Sequence, residues 1–207
     1  MAAITTVEQL RTRMAMPRKT TLAKLLPEID EQGRAYIARS PFLLMATRDA
    51  DGAVDVSPKG DEPGFARIED DRTLLMPERV GNNLAFGLQN IIATGSIGLI
   101  FMLPGTSETF RVNGRASLHD DAELLTQLGS AERPALLAIR IAVERCYFHC
   151  ARSIVRAKVW KPESWGAPMK VSFGSIIAPR VGGDAAMAQQ MDAMVETAST
   201  TRLWRSE

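Results

Sequence analysis

The chain is poor in the residues that usually announce chemistry or covalent bracing. Among 207 residues there are two cysteines and two histidines, and aromatic residues make up 6%. Two cysteines exclude a disulfide framework, and a chain near 200 residues needs none, because folding at that size buries roughly 70% of the unfolded surface. Charge of either sign is not in excess: 25 Lys and Arg against 24 Asp and Glu leave a formal net charge of +1. That balance argues against a nucleic-acid partner, whose binding rests on a net basic face that displaces counterions. Long apolar runs are absent too. The longest, Ile97 to Leu103, falls far short of the roughly 20 residues that cross a bilayer. The N-terminal stretch carries Glu8, Arg11, Arg13, Arg18, Lys19 and Lys24 and no apolar core of a signal peptide, so a cytoplasmic protein without membrane contact is expected.

Familiar catalytic motifs are also missing. There is no Gly-x-Ser-x-Gly elbow, no Gly-x-x-x-x-Gly-Lys phosphate loop, no His-Glu-x-x-His and no Gly-x-Gly-x-x-Gly opening a helix. Cys146 and Cys150 bracket Tyr147-Phe148-His149, but zinc needs three or four protein ligands, and the other histidine, His119, lies far off beside Asp120 and Asp121. The expectation is two reduced, partly buried thiols and no metal.

What is present is a pattern. A helix is expected after Thr6, a plausible N-cap, and a second helical stretch over Thr21 to Arg39, broken or restarted at Pro27. Ser40-Pro41 ends it, since a residue before proline is pushed out of helical geometry. From Pro41 onward the chain reads as short strands. Phe42 to Thr47 and Ala53 to Ser57 flank the turn Asp49-Ala50-Asp51-Gly52, and Ile97 to Leu103 and Thr109 to Ala116 form a second hairpin. Thr73 to Met76 and the alternating Ala135 to Val143 add strands. Helices are expected over Asn82 to Ile92, from Asp120 to Leu125, and over Asp184 to Thr197, where Met187, Met191, Met194 and Val195 share a stripe that reads as a packing face. The whole is one α+β, β-rich domain over 1–207, with N-terminal helices over 1–40, a closed or split barrel over 41–148, and C-terminal helices and tail over 149–207.

Three clusters at strand ends and turns could carry chemistry. Ser57-Pro58-Lys59-Gly60-Asp61 fixes a turn that aims Lys59. Arg79, Asn82 and Asn83 surround Gly81 ahead of a helix, where free backbone N–H groups favour an anion. Alternation along a strand places Arg111, Asn113 and Arg115 on one face, two guanidiniums with an amide between, a set suited to phosphate or carbonyl oxygens.

Taken in order, Ser40-Pro41-Phe42, Asp55-Val56-Ser57-Pro58-Lys59-Gly60-Asp61, Pro63-Gly64-Phe65, Thr73 to Pro77, Gly81-Asn82-Asn83, Pro104-Gly105 and Phe110 to Ala116 resemble the pyridoxamine 5′-phosphate oxidase-related, FMN-binding split-barrel proteins. The likeness is closest to an FMN-dependent subgroup that also has a His-Cys pair, here His149-Cys150, followed by an arginine and a tryptophan, here Arg156 and Trp160. It implies a six-stranded antiparallel split barrel flanked by helices, a homodimer, and FMN at the subunit interface. It also implies an oxidoreductase acting on a small organic substrate through flavin N5. By motif position, Ser57 and Lys59 would lie along the flavin and Arg79, Asn82 and Asn83 near the phosphate. Arg111, Asn113 and Arg115 would face the same groove, from the same or the partner subunit, with His149, Arg156 and Trp160 closing the far wall. Asn83-Leu84 departs from the pattern, since many members carry a cation there, so phosphate affinity is expected to rest more on Arg79 and Lys59. The alternative is a non-catalytic carrier or sensor of flavin or haem, with His149 as axial ligand.

Overall fold

The computed structural model describes residues 3–130 and 133–201; the last six residues of the expected tail lie outside the described residues. Eight α-helices are described: α1 (Val7–Arg11), α2 (Lys19–Leu22), α3 (Glu31–Ile37), α4 (Phe86–Thr94), α5 (Ala122–Gln127), α6 (Arg152–Arg156), α7 (Phe173–Ile177) and α8 (Ala185–Thr201). The strands are β1 (Phe42–Arg48), β2 (Val54–Gly60), β3 (Arg67–Asp70), β4 (Thr73–Glu78), β5 (Ser96–Met102), β6 (Thr109–His119) and β7 (Leu137–His149). They form one antiparallel sheet in the order β2-β1-β5-β6-β7-β4-β3.

The α+β, β-rich split-barrel class stands, with one strand more than the six expected. The addition is β3, four residues that pair with β4 in a hairpin. Only Ile68 of β3 is even half-buried among Arg67, Glu69 and Asp70. An edge strand this short and this charged leaves no alternating signal, and charge on an edge guards against pairing with another chain.

Period-two alternation builds the core. Leu43, Met45 and Thr47 of β1, Ile97, Leu99 and Phe101 of β5, and Phe110 and Val112 of β6 point inward and are buried. The β6–β7 pairing shifts register between Asn113 and Gly114. Gly114 is required there: a Cβ on it would stand 2.0 Å from the carbonyl oxygen of Ala142.

Thr6 caps α1 in a capping box with Gln9. The stretch expected as helix over Thr21 to Arg39 is two pieces, α2 and α3. Between them Leu26 exchanges backbone hydrogen bonds with Cys146 at 2.9 and 2.8 Å, so the segment around Pro27 adds to the free side of β7 instead. Asp30 then restarts the helix by accepting from Gly33 N at 2.8 Å. The helix expected from Asn82 begins later, at Phe86, after Ala85 takes a left-handed turn with φ 51°. Asn82 and Asn83 therefore lie in the turn before the helix. The tail helix α8 exists and packs against α7, but no residue of it is fully buried; along the methionine stripe Met191 is half-buried while Met187, Met194 and Val195 are exposed, so the face that its spacing suggests is packed only in part.

Candidate functional site

The sheet curls so that β2, at one edge, faces β4 next to the other edge, and a cleft of about 340 Å³ opens between their ends. Its walls include Ser57, Lys59, Arg79 and Asn82, so four of the expected site residues meet there, with Asn83 next in chain. The cleft is electrically balanced. Lys59 Nζ donates to both carboxylate oxygens of Glu78, at 2.7 and 2.6 Å, and the two residues are 9% and 4% exposed. Arg79 Nε donates to Asp61 Oδ2 at 2.7 Å and its Nη2 to the Leu128 carbonyl at 2.8 Å. Asp61 Oδ1 also accepts from Ser130 Oγ at 3.2 Å. The two cations on which phosphate affinity was expected to rest more heavily, Lys59 and Arg79, are thus each matched by a carboxylate. One group is unmatched: Ser57 Oγ is buried with no hydrogen-bond partner.

The remaining candidates lie elsewhere. Arg111 and Asn113 alternate with buried Phe110, Val112 and Gly114, so their side chains leave the outer face of β6. Arg111 Nη1 donates to Tyr147 Oη at 3.4 Å, while its Nε is buried without a partner. Lys24 Nζ stands 5.5 Å from the centre of the Tyr147 ring. His149, also on β7, has its pKa lowered, first by burial and then by the charges of Arg111 and Lys24, so its imidazole is neutral at pH 7. Arg115 reaches the C-terminal cap of α4, its Nη2 3.4 Å from where a Cβ on Gly95 would stand, a place where a cation stabilises a helix. Arg156 ends α6 beside Val155, and Trp160 Nε1 donates to the Thr106 carbonyl at 2.8 Å. The chain therefore holds two groups: the cleft, and the Arg111–Tyr147–His149 face.

Sequence reasoning missed Glu78, Asp61, Tyr147 and Lys24 as members of these groups. Tyr147 was within reach, since it alternates with His149 and so shares its side of β7. Asp61 sits inside a quoted motif and Glu78 directly between Pro77 and Arg79, but a sequence does not show that two strand ends meet.

The thiols differ from expectation: Cys146 is fully buried and Cys150 exposed. Burial, with Asp30 and Glu28 nearby, pushes the Cys146 thiol from 9.0 up to about 11. At pH 8 a thiol-specific chromogenic disulfide should therefore titrate one fast group per chain, Cys150, and the second only after unfolding. Two fast thiols would contradict the burial of Cys146. Among the described residues no group of three or more His, Cys, Asp or Glu could hold a metal ion, and no helix is long and apolar enough to cross a membrane.

Comparison with known proteins places these features. Residues 29–150 match the family model for pyridoxamine 5′-phosphate oxidase. A search of curated proteins finds no match. Among solved structures, HupZ of Group A Streptococcus is 21% identical with a TM-score of 0.48, the match covering 58% of this chain and 93% of that one. General Stress Protein 26 of Bacillus anthracis is 14% identical with a TM-score of 0.42, covering 55% and 88%. HutZ, the haem storage protein of Vibrio cholerae, is 12% identical with a TM-score of 0.41, covering 57% and 93%. With the family model spanning more than half of its length, this chain belongs to the pyridoxamine 5′-phosphate oxidase family.

Proposed function

We propose that the protein is a cytoplasmic, FMN-dependent oxidoreductase that acts on a small organic substrate as a homodimer. The observation that carries the reading is Ser57, whose hydroxyl is buried without a partner in the wall of the cleft. A buried donor left unmatched costs about 1–3 kcal/mol, and a ligand carbonyl or ring nitrogen would remove that cost. A cleft of about 340 Å³ also lies within the usual range of ligand pockets.

Ser57, Asn82 and Asn83 would hold the flavin in the cleft, with Lys59 and Arg79 fixing its walls through their carboxylate partners. Because the cleft itself is balanced, the phosphate charge is better met by Arg111, Asn113 and Arg115, whose outward face a second copy can bring to the cleft. Arg111 Nε, also a buried donor without a partner, supports that role. Arg156 and Trp160 follow β7 and would close the far wall with His149. The flavin supplies the redox centre, which accounts for a chain with no acid–base pair or nucleophile of its own. The exposed, unpaired Cys150 suits a reducing compartment.

Protein loaded with excess FMN and desalted should retain flavin absorbance and quench flavin fluorescence. Arg111→Ala should weaken the affinity by about 1.5–3 kcal/mol, the range for hydrogen bonds to a charged group. A colourless protein with no quenching overturns the reading. A second reading, a non-catalytic haem carrier, is favoured by His149 alone, whose neutral imidazole is in its ligating form. It requires a Soret band that survives Arg79→Ala and vanishes in His149→Ala.

A further inference from the structure

The cleft and the outer face of β6 and β7 differ in how their cations are matched. In the cleft Lys59 and Arg79 each hold a carboxylate. On the outer face, among the described residues, no ion pair includes Arg111 or Lys24. The carboxylates that follow Lys24 in the chain are engaged elsewhere: Glu28 pairs with Arg72 at 3.5 Å, and Asp30 caps α3.

Backbone pairing is what brings these groups together. Arg111 lies directly opposite Tyr147 on β7, and the Tyr147 and His149 rings stand 6.5 Å apart between centroids. Lys24 comes from another part of the chain, the segment between α2 and α3, ahead of residues 29–150 that match the family model. The hydrogen bonds between Leu26 and Cys146, at 2.9 and 2.8 Å, fix that segment alongside β7. Half-buried there, Lys24 sets its ammonium 5.5 Å from the centre of the Tyr147 ring. An ammonium held over a ring face keeps its N–H donors for a ligand. Tyr147 Oη meets Arg111 Nη1 only at 3.4 Å, a long contact, and Arg111 Nε is buried with no partner. His149 feels both cations, which lower its pKa after the larger effect of burial, as expected where positive charge converges without a counter-charge.

The constellation fits an anion with several oxygens. A phosphomonoester brings about −1.5 to −2 charges near pH 7 and three acceptor oxygens, enough to engage a guanidinium, an ammonium and a phenol together. We propose that Lys24 and Tyr147 join Arg111 in binding the flavin phosphate, and that Lys24 sets a preference for FMN over riboflavin. The proposal rests on the flavin reading above and adds two ligands to its phosphate site.

The test compares FMN with riboflavin, the same ring system without the phosphate. The full chain, stripped of bound flavin, is titrated with each, and quenching of flavin fluorescence gives the two Kd values. The parent should bind FMN more tightly. Lys24→Met should weaken FMN binding by roughly tenfold, the lower end for hydrogen bonds to a charged group, and leave riboflavin within about twofold. Lys24→Arg keeps the charge and should keep the preference. Tyr147→Phe, which removes only the hydroxyl, should cost FMN about threefold and riboflavin nothing. Equal loss of both flavins in Lys24→Met would make Lys24 a support of the fold, and unchanged FMN affinity would remove it from the site; either result overturns the proposal, as does a parent that binds the two flavins equally. A parent that quenches neither flavin overturns the flavin reading itself, and the proposal with it.

Discussion

Lys59→Met is expected to lower the unfolding free energy by about 3–5 kcal/mol, because it leaves the Glu78 carboxylate buried with no counter-charge. Both members are buried, with Lys59 at 9% and Glu78 at 4% exposure, and the ammonium reaches both carboxylate oxygens. It also joins β2 to β4, strands that share no backbone ladder, so it holds the barrel where the sheet fails to close. Urea unfolding followed by circular dichroism measures the loss. The double variant Lys59→Met/Glu78→Leu should regain most of it, since replacing both members of a buried pair by apolar groups of similar volume is near neutral. A single variant within about 1 kcal/mol of the parent would mean that water from the cleft solvates the carboxylate once Lys59 is gone.

Phe110→Ala should cost a similar amount, about 3–5 kcal/mol, through lost burial and the cavity left behind. Phe110 is 1% exposed and belongs to an aromatic trio, with ring centroids 4.9 Å from Phe148 and 6.4 Å from Tyr36. Its ring also fills the space over α3 where Gly33 has no side chain; a Cβ there would stand 2.6 Å from Phe110 Cζ. Tyr36 Oη donates to the Glu108 carbonyl at 2.6 Å and accepts from Leu103 N at 3.1 Å, so the trio also anchors the β5–β6 loop. Hydrogen exchange should therefore report faster opening of α3 and of that loop, alongside the fall in denaturation midpoint. Unchanged protection of α3 would show that its docking does not pass through Phe110.

Strands that alternate over five or more residues were legible. The β1–β2 and β5–β6 hairpins follow from inward residues spaced by two and from turns rich in Asp, Gly and Pro. β3 was not, because Arg67, Glu69 and Asp70 leave one half-buried residue, Ile68, to signal a strand. The helix through Leu84, Leu88, Ile91 and Ile92 was legible as a helix, while its start was not: Ala85 adopts a left-handed conformation that composition does not announce for alanine. Of the candidate site, the order of motifs led to Ser57, Lys59, Arg79 and Asn82, and these do share one cleft.

The sequence by itself determined which faces are apolar, where the turns fall and which family the motif order resembles, because these depend on residues near one another in the chain. Only the tertiary structure decided the electrostatics of the cleft. Lys59 and Glu78, and Arg79 and Asp61, are distant in sequence and meet because the twisted sheet brings β2 round to β4. A cation read as waiting for a phosphate becomes half of a buried ion pair. Conversely, Ser57, the least conspicuous residue of its cluster, is left as a buried hydroxyl in want of a partner. Partnering depends on what the fold places within about 3 Å, and no local pattern in the chain encodes that.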